Sequence, residues 1–110
     1  MRQGIMTFAL AAALLAGIGG PKVEAQGGWY DEVSEACAYW GCSTDYVYSV
    51  LLCESGGDPD AIAYNASSGN YTYGLMQIDS MWGGDQMGPV EQIWFAAEHL
   101  TKGDIWWECG

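Results

Sequence analysis

Positive charge is scarce in this sequence. Lys and Arg together number 3 against 14 Asp and Glu, and the formal net charge at pH 7 is −11. Because nucleic-acid binding depends on basic side chains that neutralise phosphates, this balance excludes nucleic acid as a partner. It equally excludes a polybasic patch that would hold the chain on anionic lipid. Hydrophobic residues make up 50% of the chain, so a buried core rather than disorder is expected.

Metal-ligand patterns are scarce as well. The sequence has one histidine, His99, and its four cysteines, Cys37, Cys42, Cys53 and Cys109, show no CxxC spacing. A structural zinc site needs four such ligands, usually with the cysteines in close pairs. We therefore expect no metal and no cofactor.

The first 25 residues have the layout of a secretory signal peptide. Arg2 precedes an apolar run over residues 5–18, and Val-Glu-Ala at 23–25 is a small-x-Ala cleavage site. The alternative is an uncleaved membrane anchor, for which the interrupted apolar run is short. We expect residues 1–25 to be a signal peptide and residues 26–110 to be one secreted domain that does not insert into membranes. In an exported domain of this size, the four cysteines predict two disulfides.

Hydrophobic periodicity and helix-end residues predict four or five short helices. Those that can be bounded are Tyr30–Trp40, a second from Ser43 or Thr44 to Gly56, a third over Leu75–Met81, and a fourth from Pro89 to Gly103. Residues 58–73 contain Pro, Gly, Ser and Asn with alternating Tyr, which indicates a loop or small hairpin. The predicted fold class is mainly α, in an α+β arrangement. The apolar tail at 105–109 is expected to pack back on the body.

Glu54 interrupts the apolar pattern of the second helix. It follows Leu51 by three residues and Val47 by seven, on the side expected to face the core. A buried carboxylate with no cation nearby is costly, so burial would raise the pKa of Glu54 and favour its protonated form. A protonated Glu at neutral pH is what a general acid in glycoside cleavage requires. Periodicity alone leaves a second possibility, that Glu54 turns outward to solvent at the helix end.

The residues around Glu54 carry a family resemblance. A helix ends in Cys-Glu-Ser-Gly-Gly at 53–57, a small polar segment follows, and Tyr-Gly-Leu-Met-Gln-Ile stands at 73–78. Pro-Val-x-x-Ile with Ala-Ala in the last helix, and then Trp-x-Cys at 107–109, extend the pattern. Over about residues 36–109 the chain resembles the lytic transglycosylase (SLT-like) and lysozyme-like superfamily, in particular small secreted transglycosylase-like domains of bacteria.

The resemblance implies a bacteriolytic glycosidase that acts on the cell wall. Such enzymes cleave the β-1,4 bond between N-acetylmuramic acid and N-acetylglucosamine in peptidoglycan. Glu54 would protonate the glycosidic oxygen and then act as base toward the 6-hydroxyl of the sugar, which closes a 1,6-anhydro ring. The expected partners are peptidoglycan glycan strands, and the expected state is a monomer that is extracellular or associated with the wall.

The resemblance further implies substrate contacts and a disulfide pairing. The implied contacts are Ser55, Tyr64, Tyr73, Gly74, Met76 and Gln77, and among the aromatic residues Trp82 and Trp94 are further candidates for stacking on sugars. The alternatives are purely structural roles, in which Gln77 caps a turn and Met76 packs in the core. In the resembling domains the cysteine before Glu-Ser-Gly bonds the one in Trp-x-Cys, which implies Cys53–Cys109 and leaves Cys37 with Cys42.

Two positions bear on the product of the reaction. Thr72 stands where chicken-type lysozymes have an Asp before Tyr-Gly, so the second carboxylate of that mechanism is missing and a single-Glu reaction is favoured. Asp79 follows Gln-Ile, where goose-type lysozymes have an Asp that is thought to position water. Asp79 therefore leaves hydrolysis open, unless it is an ordinary polar residue of the third helix. A weakly catalytic peptidoglycan-binding module is a further alternative.

Overall fold

The computed structural model describes residues 28–110, and the predicted signal peptide at 1–25 lies outside them. The elements, in chain order, are α1 (Tyr30–Trp40), α2 (Thr44–Ser55), β1 (Ile62–Asn65), β2 (Asn70–Tyr73), β3 (Ile78–Asp79), the 3₁₀ helices Ser80–Trp82 and Gly84–Gln86, and α3 (Pro89–Lys102). None of the helices in this described part has the length and apolar character needed to cross a membrane.

The ends of the α-helices follow from their capping residues. The Ser43 side chain accepts a hydrogen bond from the backbone N–H of Tyr46 at 3.2 Å and so begins α2. Gly56 ends α2 in the left-handed conformation, with φ of 66°. Gly41 after α1 and Gly103 after α3 adopt the same conformation, with φ of 84° and 69°. Glycine reaches these angles without steric cost, and the predicted bounds of these three helices are confirmed.

The three strands form one small antiparallel sheet in the order β1-β2-β3. The register of the first pair runs from Ile62 opposite Tyr73 to Asn65 opposite Asn70. In the second pair, Tyr73 lies opposite Ile78. The predicted hairpin between the second and the last α-helix is therefore present, and the class is α+β.

The predicted helix over Leu75–Met81 is wrong. The chain turns at 75–77, pairs as β3, and then forms a single 3₁₀ turn. Gln77 has a φ of +48°, which an α-helix does not allow. The N–H of Met76 binds the side chain of Gln92 at 2.9 Å instead of a carbonyl one turn earlier. Residues 28–110 therefore contain three α-helices and two single-turn 3₁₀ helices, not the four or five helices expected.

Gln92, on α3, holds this loop in place. Its side chain is 1% exposed, and its Nε2 donates to the carbonyls of Tyr73 at 2.8 Å and Gly84 at 3.2 Å. Its Oε1 accepts the N–H of Met76. A Cβ on Gly74 would lie 2.5 Å from Gln92 Nε2, so only glycine permits this approach. The buried amide thus uses both of its protons and joins two ends of the loop to α3.

Both predicted disulfides are present. Cys37–Cys42 spans the end of α1, and Cys53–Cys109 joins residues 56 apart in sequence. By loop entropy the long bridge stabilises the fold by about 4 kcal/mol. The tail packs back at Trp107, which is 6% exposed and whose Nε1 donates to the carbonyl of Met76 at 2.7 Å.

The apolar core draws on all three helices, the loop and the tail. Helices α1 and α2 contribute residues at helical spacing, and α3 adds its own stripe. The buried apolar residues include Val33, Ala36, Val47, Val50, Leu51, Leu75, Met76, Ile78, Ile93, Ala96, Ala97 and Trp107. Buried apolar side chains thus come from all three α-helices, from the segment 75–78 and from the tail.

Replacing Gln92 by Leu should destabilise the fold by about 2–4 kcal/mol, because it leaves the partners of the amide buried without hydrogen bonds. Denaturant unfolding measures the loss. Gln86→Leu is the matched control, since Gln86 is exposed and its side chain donates to the side chain of the neighbouring Asp85, at 3.0 Å. Equal stability of the two variants would contradict the role given to Gln92.

Candidate functional site

A cleft of about 560 Å³ lies between the C-terminal end of α2, the sheet and the tail. Ligand sites of proteins typically have volumes of about 300–1,000 Å³. The cleft is lined by four of the residues predicted to form the site: Glu54, Tyr64, Gln77 and Asp79. The sheet, α2 and the tail are thus the elements that position the candidate chemistry.

Glu54 stands in the last turn of α2 and lines the cleft with a half-buried side chain. Burial is the main reason that the pKa of the Glu54 carboxyl is raised. A hydrogen bond from the backbone N–H of Cys109 lowers this pKa, and the charge of nearby Glu108 raises it further. The N–H lies 3.0 Å from Oε2. Among the described lining residues there is no Lys, Arg or His to restore the usual pKa. Glu54 therefore holds its proton to higher pH than an exposed Glu.

Asp79 lies in the same cleft with the opposite shift. Its side chain is 7% exposed, and burial alone would raise its pKa. Hydrogen bonds from the Met81 N–H and from the side chains of Ser68, Asn70 and Asn65 outweigh burial, so the pKa is lowered. Met81 N lies 2.9 Å from Oδ1, and Ser68 Oγ lies 2.6 Å from Oδ2. The carboxylate is ionised at neutral pH, begins the following 3₁₀ helix, and ties the hairpin tip to β3.

Gln77 is fully engaged with its own loop. Its Nε2 donates to the carbonyls of Ala61 at 3.1 Å and Gly74 at 2.9 Å, and its Oε1 accepts the Thr72 hydroxyl at 2.7 Å. Because both amide protons have partners, only the second lone pair of Oε1 remains for a ligand. The structure therefore gives Gln77 the turn-fastening role that was the alternative to a substrate contact.

The other predicted contacts divide between the rim and the interior. Tyr64 is 61% exposed at the cleft, and its ring meets that of Tyr71 at 5.4 Å. Ser55 turns to its own helix end, where its Oγ accepts the N–H of Gly57 at 3.1 Å. Four predicted contacts are not among the cleft-lining part of residues 28–110: Ser55, Tyr73, Gly74 and Met76. Met76 is fully buried in the core.

Sequence reasoning missed Trp106. The whole tail was expected to pack on the body, yet Trp106 lines the cleft with 82% of its side chain exposed. Consecutive side chains of a non-helical segment point to different sides. The Trp-Trp pair at 106–107 was therefore a usable signal that the two rings face different surroundings. For Gln92, by contrast, no sequence pattern indicated that its buried amide would hold the loop.

The cleft carboxylates are not arranged as a metal site. No group of three or more His, Cys, Asp or Glu side chains that could hold a metal ion occurs within the described range. The Asp79 oxygens already accept hydrogen bonds from protein groups.

Comparison of the chain with models of protein families, with curated proteins and with solved structures finds no match. A function can therefore be argued only from the cleft and from the short motifs around Glu54. The geometry supplies an acid with a raised pKa, an ionised carboxylate, and exposed aromatic rings in one cleft. Environments that separate the pKa values of two carboxyl groups are typical of acid–base sites.

Replacing Glu54 by Gln should increase stability most at neutral pH. The folded chain keeps the Glu54 proton above the ordinary pKa of 4.5, so stability falls as the pH rises through the interval between the unfolded and folded pKa values. Gln carries no such penalty and still accepts the Cys109 N–H. The Tm difference between variant and parent should therefore grow from pH 4 to pH 7 in thermal unfolding.

The matched control is Glu35→Gln, because Glu35 is exposed on α1. Its Tm difference from the parent should be small and nearly constant over the same pH range. A Glu54→Gln difference that is flat, or that shrinks toward pH 7, would contradict the raised pKa.

Proposed function

We propose that this chain is a secreted muramidase of the lytic transglycosylase type, which cleaves the β-1,4 bond between N-acetylmuramic acid and N-acetylglucosamine in peptidoglycan. The observation that carries the proposal is the half-buried Glu54 carboxyl, whose pKa is raised within an open cleft. A carboxyl that keeps its proton to higher pH than an ordinary Glu is suited to act as general acid on a glycosidic oxygen. The lysozyme-like motifs around it identify the same residue.

The reaction requires one carboxyl group in two roles. Glu54 donates its proton to the glycosidic oxygen as that bond breaks and positive charge develops at the anomeric carbon. The resulting carboxylate then takes the proton of the 6-hydroxyl, whose oxygen attacks the anomeric carbon and closes the 1,6-anhydro ring. The Cys109 N–H stabilises the carboxylate form between the two steps, because it donates to Oε2. Burial favours the acid form before and after.

The proposed setting is the outside of the cell. Two disulfides fit an oxidising compartment, and the predicted signal peptide supplies export. The few basic residues make long-range attraction to anionic wall polymers impossible, so contacts within the cleft must supply the binding to glycan strands. The proposed active form is a monomer.

Hydrolysis is the second candidate, and the position of Asp79 favours it. An ionised carboxylate that lines the same cleft could orient a water molecule for attack on the anomeric carbon. Against this role, its oxygens already accept hydrogen bonds from Met81, Ser68 and Asn65. We therefore place the single-Glu reaction first.

Glu54→Gln should lower the rate of peptidoglycan cleavage by at least about 100-fold, because Gln cannot donate the proton. Purified peptidoglycan is digested with each protein, and the soluble products are identified by mass spectrometry. Glu35→Gln should retain the parent rate, because the Glu35 side chain is exposed on α1 and is not among the residues that line the cleft. Undiminished cleavage by Glu54→Gln would rule out this mechanism, and no cleavage by the parent would leave a binding module as the better description.

Asp79→Asn separates the two reactions. If Glu54 acts alone, the variant should keep its rate within about tenfold and release products lighter by one water, which end in the anhydro sugar. Because Asp79 begins a 3₁₀ helix, circular dichroism serves as the control that the variant keeps its fold. Reducing-end products from the parent, lost in Asp79→Asn with the fold intact, would instead establish hydrolysis.

A further inference from the structure

Trp106 is the most exposed large apolar side chain of the described residues. It is 82% exposed and lines the cleft, whereas the next residue, Trp107, is 6% exposed. A single exposed apolar ring is common on protein surfaces, but several exposed aromatic rings that line one cleft are typical of a ligand site. Trp106 makes no hydrogen bond within the part of the chain that is described, so its indole N–H is available to a ligand.

The backbone on the C-terminal side of Trp106 is fixed in advance. The Trp107 indole binds the Met76 carbonyl at 2.7 Å, and Cys109 is bonded to Cys53 on α2. The tail therefore has little freedom left to lose when a ligand binds. Preorganisation of this kind lowers the entropy cost of association.

The other lining groups define what the ligand must be. Trp82 and Tyr64 also line the cleft and are 49% and 61% exposed. Asn65, Ser67 and Ser68 are polar side chains of the same cleft. Because Asn65 and Ser68 already donate to Asp79, the Ser67 hydroxyl and the second amide proton of Asn65 are the donors left for a ligand. The cleft is thus amphipathic, with aromatic faces and hydrogen-bonding side chains together. A pyranose ring has the same two properties, an apolar face of C–H groups and a periphery of hydroxyls.

The charges of the cleft-lining residues further restrict the class of ligand. The described lining residues include the acids Glu54, Asp79 and Glu108 and no basic side chain. An anionic polymer would be repelled, and an acyl chain would remove water from the polar side chains without replacing their hydrogen bonds. An uncharged sugar meets neither penalty.

We propose that Trp106 stacks on the apolar face of an uncharged N-acetylhexosamine ring and is the main aromatic contact of the glycan in the cleft. This inference rests on the proposed function, because it names the residue that holds the substrate of the same site. Trp106 is a binding residue and takes no part in proton transfer.

The probe is the N-acetylglucosamine tetramer, titrated into Glu54→Gln protein so that no cleavage occurs, with indole fluorescence and calorimetry as readouts. In the Glu54→Gln background, Trp106→Ala should weaken binding by about five- to tenfold, as expected for the loss of one aromatic contact. Trp106→Phe should recover part of the affinity, because it keeps a ring. Tyr39→Ala is the control, since Tyr39 is 71% exposed but lies outside the cleft-lining set.

Two results would overturn the inference: equal affinity of Trp106→Ala and its Glu54→Gln parent, or no binding of the tetramer at millimolar concentration. Because Trp106 is exposed, the variants should unfold at the parent Tm, and Trp106→Phe decides the matter if the alanine variant does not fold. Tetramer binding that depends on Trp106, with no peptidoglycan cleavage by the wild-type chain, would refute the proposed function alone. Cleavage with binding that ignores Trp106 would refute this inference alone.

Discussion

The attachment of the tail to the last turn of α2 is the interaction on which the cleft depends. Cys53 and Cys109 bond the two segments, and the N–H of Cys109 reaches the carboxylate of Glu54, the residue after Cys53. Residues 105–109 form one wall of the cleft. Besides that bond, the Trp107 indole and the Tyr46 hydroxyl, which donates to the Gly110 carbonyl at 2.6 Å, hold the tail in place. Burial of Glu54 and the shape of the cleft thus depend on this closure of the tail onto the body.

The same closure sets two opposing influences on Glu54. The tail contributes to the burial that raises the pKa, and Glu108 adds a like charge, yet the Cys109 N–H favours the ionised form. An acid that must first donate a proton and then accept another needs both forms within reach near the working pH. A carboxyl buried without any donor would resist the ionised state. One backbone hydrogen bond therefore suits Glu54 to alternate between the two roles proposed for it.

Local signals predicted the parts of this fold that are local in origin. The α-helices followed from apolar periodicity and from capping by Ser43, Gly56 and Pro89, because those interactions lie within a few residues of each other. The segment after Gly74 was misassigned as helix, since its apolar spacing fits one. Its conformation is decided by Gln92, which takes the Met76 N–H from 16 residues away. No pattern within a short window contains that information.

The structure brings some of the predicted site residues together in one cleft and engages several of their polar groups within the fold itself. Glu54, Asp79 and Gln77 do line one cleft, but residue type alone does not reveal which hydrogen-bonding groups the fold itself occupies. Gln77 gives both amide protons to the loop, and Asp79 accepts from the hairpin and the 3₁₀ helix. Gln77 and Asp79 therefore have few hydrogen-bonding groups left with which to contact a ligand. Glu54, whose Oε1 has no protein partner in the described range, and the exposed aromatic rings are then the groups left for the glycan binding and cleavage that we propose.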